Sequence, residues 1–138
     1  MDFKLELVLI PVTDVDRAKE FYVDKCGFNL DVDHTISDEF RVVQMTPPGS
    51  ACSITIGKGM TDAPPGSYRG THLCVTDIVA AREALVGRGV DVSAITHFAA
   101  GERKPGPDPS HSNYNSFADF KDPDANTWVL QEVKHTVR

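Results

Sequence analysis

The stretch VTDVDRAKEF, residues 12–21, decides the fold because the chain uses it twice. Its second copy, VTDIVAAREA, begins at Val75, which is 63 residues later. Each copy opens with Val-Thr-Asp, and the aspartate suits a helix N-cap, since its side chain can accept hydrogen bonds from the free amides of the first turn. Each copy then reaches a glycine and a hydrophobic residue, and Gly27 suits the left-handed cap that ends a helix. The repeat therefore predicts two related modules.

A second pair of segments extends the repeat to the end of each half. PPGSACSITIG at Pro47 matches DPDANTWVLQE at Asp122 with a shift of 75 residues, so the second half carries an insertion of about a dozen residues. The insertion is assigned to residues 97–114, whose glycines and prolines predict an irregular loop. We expect a first module over residues 1–57, a linker over 58–69 and a second module over 70–138.

Each half reads as a strand, a helix and three further strands. The alternation of apolar residues and the turn signals between them set the predicted bounds. The predicted strands are Leu5–Val12, Phe28–Ile36, Phe40–Met45 and Ala51–Ile56 in the first half, and Thr71–Thr76, Val90–Ile95, Asn115–Phe120 and Thr127–Val133 in the second. Neither sheet can bury both of its faces alone, so we expect the modules to pair and to leave a concave cleft that serves as a pocket.

Composition excludes several classes of function. The 138 residues carry a net charge of −6 without a basic run, which argues against nucleic acid or an anionic membrane as a partner. Cys26, Cys52 and Cys74 are far apart and form no CxxC pair, so neither a disulfide framework nor a thiolate zinc site is indicated. We expect three small buried side chains in a reduced compartment. The N-terminal stretch shows no targeting signal, and a cytoplasmic location is predicted.

Two βαβββ units resemble the vicinal oxygen chelate superfamily, which includes glyoxalase I, bleomycin-resistance proteins and extradiol dioxygenases. The resemblance rests on the V-x-D openings, on Phe21-Tyr22 in the first helix and on Asp-Pro-Asp-x-Asn at residues 122–126. It implies an α+β fold in which the two modules form a curved half-open barrel, the glyoxalase/bleomycin-resistance fold. Members of the superfamily often dimerise, so a homodimer is expected. The fold hosts several activities and does not select one of them.

Enzymes of this superfamily usually hold one divalent metal ion through the first and last strands of each module. Applied to this chain, the superfamily's spacing rules point to Leu7, Ile54, Gly70 and Val129. None of these side chains offers the imidazole or carboxylate donor that such a site requires. We therefore expect no cofactor at this position. The alternative is one divalent metal ion at a shifted site built on His72 and Gln131.

The leading hypothesis is that the cleft binds a small organic molecule, with or without metal-independent isomerase or lyase chemistry. A mostly apolar lining with few polar groups is typical of ligand sites. The predicted lining is Leu7, Leu9, Ile54, His72, Cys74, Val129 and Gln131, with Tyr114 added from the insertion. The rival hypotheses are a metal-dependent lyase or dioxygenase, similar to glyoxalase I or to the extradiol enzymes, and a purely structural interaction module.

Expectations for single residues complete the sequence analysis. His72 is either a general base or a histidine satisfied at a strand start, and Cys74 is interpreted first as a core filler. Gln131 is predicted to point inward as a hydrogen-bond partner, whereas Glu132 is assigned to a solvated sheet rim. Trp128 is expected to pack against a helix, on the face opposite Val129. The insertion is either a lid or a disordered excursion.

Overall fold

A computed structural model describes residues 1–135 and divides the chain into two compact units. The first unit comprises residues 1–68 together with Asp122–Asn126, and the second comprises residues 69–121 and the residues from Thr127 onward. Residues 136–138 of the predicted second module lie outside the described part. Within residues 1–135, no helix has the length and apolar character needed to cross a membrane.

The first unit is a four-stranded sheet with one helix. Its elements are β1 (Leu7–Leu9), α1 (Val15–Glu20), β2 (Asn29–Ser37), β3 (Phe40–Thr46) and β4 (Ser53–Lys58). The strand order is β1-β4-β3-β2, in which β1 runs parallel to β4 and the other pairs are antiparallel. A parallel pair needs a crossover connection, and α1 is part of the long β1-to-β4 path that supplies it.

Helix α1 forms where the repeat predicts it. Asp14 is the N-cap, and its Oδ1 accepts a hydrogen bond of 3.0 Å from the Arg17 amide. Beyond Glu20 the helix continues as a π-helical turn over Phe21–Lys25, and Gly27, with φ of 78°, follows as the predicted left-handed residue. The wider turn carries the Tyr22 side chain to full burial.

The second unit has five strands and one helix. Its elements are β5 (Thr71–Val75), α2 (Ile78–Gly87), β6 (Thr96–Ala99), β7 (Glu102–Pro105), β8 (Ser116–Lys121) and β9 (Thr127–Glu132). The order is β5-β9-β8-β6-β7, with β5 parallel to β9. Asp77 caps α2 through a 3.1 Å bond from the Ala80 amide. Both units thus follow the predicted strand-helix-strands plan, and the α+β fold class is confirmed.

The second unit departs from prediction between the helix and β8. The segment predicted as a strand at Val90–Ile95 is irregular, and the insertion supplies the β6–β7 hairpin instead of a loop. Val90 and Val92 are buried, so their alternation correctly indicates side chains in the core. Their backbone, however, does not pair with a neighbouring strand in the described part of the chain. The Arg82 guanidinium donates to the carbonyls of Val92 and Ser93. Side-chain periodicity therefore predicted burial correctly and strand pairing wrongly.

The turn at residues 122–126 belongs to the first unit although it lies between two strands of the second. Asp122 is buried, and its Oδ2 accepts a 2.7 Å hydrogen bond from the Tyr22 hydroxyl. Asn126 Nδ2 donates to the Pro11 carbonyl at 2.8 Å, and the Asn126 Oδ1 accepts from the Tyr68 amide. The turn that the sequence indicates is thus also an anchor for the first unit.

Candidate functional site

The register of the first sheet decides which side chains share a face. Leu7 pairs with Ser53, Leu9 pairs with Thr55, and Gln44 pairs with Thr55 from the other side. Paired residues project to the same side of a sheet, and this side is opposite the one that carries α1. We call it the helix-free face of the first sheet, comprising Leu7, Leu9, Gln44, Thr46, Ser53 and Thr55.

Ile54 does not belong to this face, which corrects the prediction. It pairs with Val8 and Met45 and is 4% exposed, so it is part of the core beneath α1. The repeat register explains the error. Leu9 pairs with Thr55 and its counterpart His72 pairs with Val129, so the shift of the last strand is 129 − 55 = 74 residues, not 75. A slip of one residue turns every side chain of a strand to the other face.

A polar cluster covers part of the helix-free face of the first sheet. The Thr46 and Ser53 hydroxyl oxygens lie 2.7 Å apart, and Gln44 Nε2 donates to Ser53 Oγ at 3.3 Å. The Thr46 hydroxyl also donates to the Asp31 carboxylate. Asp31 and Asp33 alternate with Leu30 and Val32 in the sequence, as two exposed residues on one face of a strand would. A register shift between Leu30 and Val32 separates the two aspartates, and simple alternation could not reveal it.

The second sheet brings four predicted residues onto one face. Across β5 and β9, His72 pairs with Val129, and Cys74 pairs with Gln131. The opposite face carries Trp128, which is 1% exposed and stacks on Phe120 with the ring centroids 6.1 Å apart, so its predicted position opposite Val129 is confirmed. We call the side that bears His72 the helix-free face of the second sheet.

This face also carries residues that sequence reasoning missed. Phe117 pairs with Gln131, and its ring lies edge-on to that of Phe98, with the centroids 5.8 Å apart. The Arg103 guanidinium lies 4.7 Å from the Phe98 ring centroid, and its Nη1 donates to Thr96 Oγ1 at 2.7 Å. We call Phe98, Arg103 and Phe117 the aromatic platform. It was missed because residues 97–114 were interpreted as a loop. The available signal was the alternation along β8, which puts Phe117 and Phe120 on opposite faces of the strand.

A pocket of about 610 Å³ lies at the end of this sheet. Its lining is Asp91, Ser93, Asp119, Phe120, Lys121, Thr127, Trp128 and Val129, of which Phe120 and Trp128 pair on the face opposite Val129. Asp119 pairs with Val129, so both belong to the helix-free face. The volume falls in the range of about 300–1,000 Å³ that is usual for small-molecule sites. Of the predicted lining, Val129 is the residue that this pocket contains.

His72 is exposed, and its ring is oriented by the backbone. Its Nδ1 lies 2.5 Å from the Gly70 carbonyl oxygen. A carbonyl can only accept a hydrogen bond, so Nδ1 carries the proton. In the neutral ring, Nε2 then keeps its lone pair and can accept a proton or a ligand hydrogen bond.

Cys74 and Tyr114 differ in how well the prediction described them. Cys74 is exposed, so its interpretation as a core filler is wrong; of the other cysteines, Cys26 is buried and Cys52 is half-buried. Tyr114 lies beside Gln131, because its carbonyl accepts a 3.1 Å bond from Gln131 Nε2. Gln131 thus points its amide at the insertion and fixes the segment that carries Tyr114.

Glu132 is not a solvated rim residue. It is 1% exposed, and its Oε2 accepts a 3.0 Å bond from the amide of Ile78, the first residue of α2. Its Oε1 lies 2.9 Å from Nδ1 of His111, a residue of the insertion. A carboxylate at a helix N-terminus is favoured by the helix dipole. Glu132 therefore ties β9, α2 and the insertion together.

The end of the insertion is held by Asp108. Its carboxylate accepts hydrogen bonds from the amides of Ser110 and Ser112 and from the Asn115 side chain. Led by the Ser110 bond, these contacts lower the pKa of Asp108 from 3.8 to about 2. This part of the predicted excursion is a hydrogen-bonded loop.

The residues at the superfamily's metal positions do not fit a metal ion. Leu7 and Val129 have no donor, Gly70 has no side chain, and the corrected register replaces Ile54 by the single hydroxyl of Thr55. In the part of the chain that the structure describes, no three His, Cys, Asp or Glu side chains converge on a point that could hold a metal. Divalent transition metals require imidazole, thiolate or carboxylate donors.

Comparison with known proteins identifies the family of this chain. The family model described as "Glyoxalase superfamily protein" matches residues 1–93. The chain belongs to the glyoxalase superfamily. The assignment agrees with the two strand-helix-strands units and with the resemblance seen in the sequence.

Three similar proteins illustrate the membership in the glyoxalase superfamily. TnmS3, an antibiotic binding protein from Streptomyces sp. CB03234, is 31% identical with a TM-score of 0.75, covering 96% of this chain and 97% of its own. A glyoxalase/bleomycin resistance protein from the same strain is 32% identical with a TM-score of 0.71, and the match covers 93% of this chain and 99% of its own. YetH, an uncharacterized protein of Bacillus subtilis (strain 168), is 26% identical over 91% of this chain and 94% of its own length.

Proposed function

We propose that this member of the glyoxalase superfamily binds a small organic molecule on the helix-free face of the second sheet and sequesters it. The observation that carries the proposal is the pocket of about 610 Å³ on the same sheet as the aromatic platform. Small-molecule sites combine apolar and aromatic surface with a few polar groups, and this face has both. The likeness to TnmS3, an antibiotic binding protein, supports the same class of ligand.

The chemistry of the face supports a ligand with an aromatic part and a hydrogen-bonding part. Phe98 is 44% exposed, so its ring can receive a second ring by stacking, and Phe117 flanks it edge-on. Arg103 supplies a cation beside the rings, while Asp119 supplies an acceptor on β8. A ligand that stacks on the rings and also bonds to Arg103 or Asp119 is held in one orientation and binds more tightly.

Binding without a metal is part of the proposal. Its support is the donor chemistry of the superfamily's metal positions, which hold aliphatic side chains, a glycine and one threonine hydroxyl. A cytoplasmic location remains a prediction of the sequence. A homodimer is also proposed, supported by Leu30, Val32 and Ile36, which are exposed on the edge strand β2.

Titration of the purified protein with a panel of aromatic antibiotics tests the proposal. Phe117→Ala should raise the Kd of the best ligand about five- to thirtyfold, since one lost aromatic contact corresponds to roughly 1–2 kcal/mol. Phe3→Ala is the matched control, because Phe3 is 91% exposed and lies in the first unit. Equal weakening by both substitutions, or no binding by any compound, would contradict the proposal.

A metal-independent isomerase or lyase is the second candidate, and the orientation of His72 favours it. With Nδ1–H directed to the Gly70 carbonyl, Nε2 is the atom that would take a proton from a bound substrate. His72→Gln should abolish turnover while ligand binding persists. Unchanged turnover in His72→Gln would exclude this histidine as the base.

A further inference from the structure

The first unit has a pocket whose lining residues all belong to that unit. Its volume is about 200 Å³. Its lining includes Leu9, Thr55 and Gly57, which lie on the helix-free face of the first sheet, and the segment Met60–Pro65, which we call the cover. The cover contains two consecutive prolines, Pro64 and Pro65, which restrict its backbone.

Thr55 gives this pocket an unusual polar group. The residue is 1% exposed, and its Oγ1 is a buried oxygen that has no hydrogen-bond partner among the residues described by the structure. Buried side-chain hydroxyls are nearly always hydrogen-bonded, since an unsatisfied one loses its water without compensation. Rotation about the Cα–Cβ bond exchanges the hydroxyl with the methyl group, so Oγ1 can reach a molecule that lies against this side chain.

We propose that this pocket binds a neutral molecule the size of one substituted six-membered ring, with a hydroxyl or similar group bonded to Thr55. A cavity of about 150 Å³ in another protein accepts benzene, so about 200 Å³ accommodates one ring and a substituent. The lining also has apolar side chains at Ile10, Pro11 and Met60. Asp62, also in the lining, disfavours an anion.

The test uses phenol as the probe and measures its binding by protein NMR and calorimetry. Phenol should shift the amide signals of Leu9, Ile10, Val12 and residues 55–63, and it should bind more tightly than benzoate, because the Asp62 carboxylate repels the anion. Toluene, which has the ring but no hydroxyl, should bind about tenfold more weakly than phenol. This difference in affinity corresponds to about 1.4 kcal/mol, which is the size of one hydrogen bond.

Two variants separate the hydroxyl from the cavity. Thr55→Val keeps the side-chain shape and should raise the phenol Kd about tenfold without lowering thermal stability, since the lost hydroxyl had no partner to lose. Thr55→Ser should retain binding. Ala63→Leu, on the cover, should abolish phenol binding by filling the pocket while Thr55 stays in place.

Three results would overturn the proposal: no phenol-induced shift in these residues, equal phenol affinity of Thr55→Val and the unaltered protein, or undiminished phenol binding to Ala63→Leu. If no antibiotic of the panel binds, the proposal for the second sheet fails, and that result concerns a different set of residues. The two proposals therefore stand or fall separately.

Discussion

Asp122 is expected to be a major anchor of the first unit, and Asp122→Ala tests this. Its carboxylate accepts hydrogen bonds from the Tyr22 hydroxyl at 2.7 Å, from Asn126 Nδ2 at 2.8 Å, and from the amides of Asp124 and Asn126 at 2.9 Å each. Tyr22 is 0% and Asn126 is 1% exposed, so water cannot easily replace the lost acceptor.

The magnitude follows from the donors left behind. Each buried donor that loses its acceptor costs about 1–3 kcal/mol; the Tyr22 hydroxyl and the Asn126 amide lose this acceptor, whereas Asn126 Nδ2 keeps the Pro11 carbonyl. We expect Asp122→Ala to lower the free energy of unfolding by about 3–5 kcal/mol, a large fraction of the roughly 5–15 kcal/mol typical of a domain. The melting temperature should fall by roughly 10 °C or more.

Urea unfolding of a double-mutant cycle provides the measurement. Tyr22→Phe alone should cost about 1 kcal/mol, and it should cost little more when Asp122 is already alanine, because the two groups share one hydrogen bond. Asp38→Ala is the control, since Asp38 is exposed in the turn between β2 and β3 and should change stability by less than about 0.5 kcal/mol. A loss below about 1 kcal/mol for Asp122→Ala would refute the reasoning.

Three further predictions concern other elements. Glu132→Leu leaves the Ile78 amide without its acceptor and should destabilise the protein by about 2–4 kcal/mol in urea unfolding, whereas Glu132→Gln should cost about half as much. Asp108 has a pKa of about 2 in the folded protein, so its contribution is complete above pH about 4 and disappears as the pH falls towards 2; NMR of the Ser112 amide should report that loss, and Asp108→Asn should remove the transition. Val32→Lys on the edge strand should dissociate the expected homodimer, measured by light scattering, and an unchanged mass would argue that β2 is not the contact.

Local rules predicted much of the fold because the relevant interactions are local. The N-caps at Asp14 and Asp77 depend on a side chain and an amide three residues away, and both bonds form. The burial of Trp128 follows from alternation within one strand. Such features are set by a few neighbouring residues, so the sequence contains all the information needed.

Failures occurred where the partner is distant in sequence. Val90 and Val92 alternate as a strand would, but the Arg82 guanidinium takes the carbonyl of Val92, and periodicity does not record this competition. Glu132 was assigned to a rim because alternation along the strand turns it to the face opposite Val129. Its partners, Ile78 and His111, lie 54 and 21 residues away, and only the folded chain brings them within reach.

The two helix-free faces differ in which strand carries the polar side chain. The equivalent pairs are Leu9 with Thr55 and His72 with Val129, so each half offers one aliphatic and one polar side chain at corresponding places. In the first unit the polar member is on the last strand and is buried under the Met60–Pro65 cover; in the second it is on the first strand and is exposed. A common backbone plan has thus produced an enclosed hydroxyl in one unit and an accessible imidazole in the other, which is why we assign the two units different ligands.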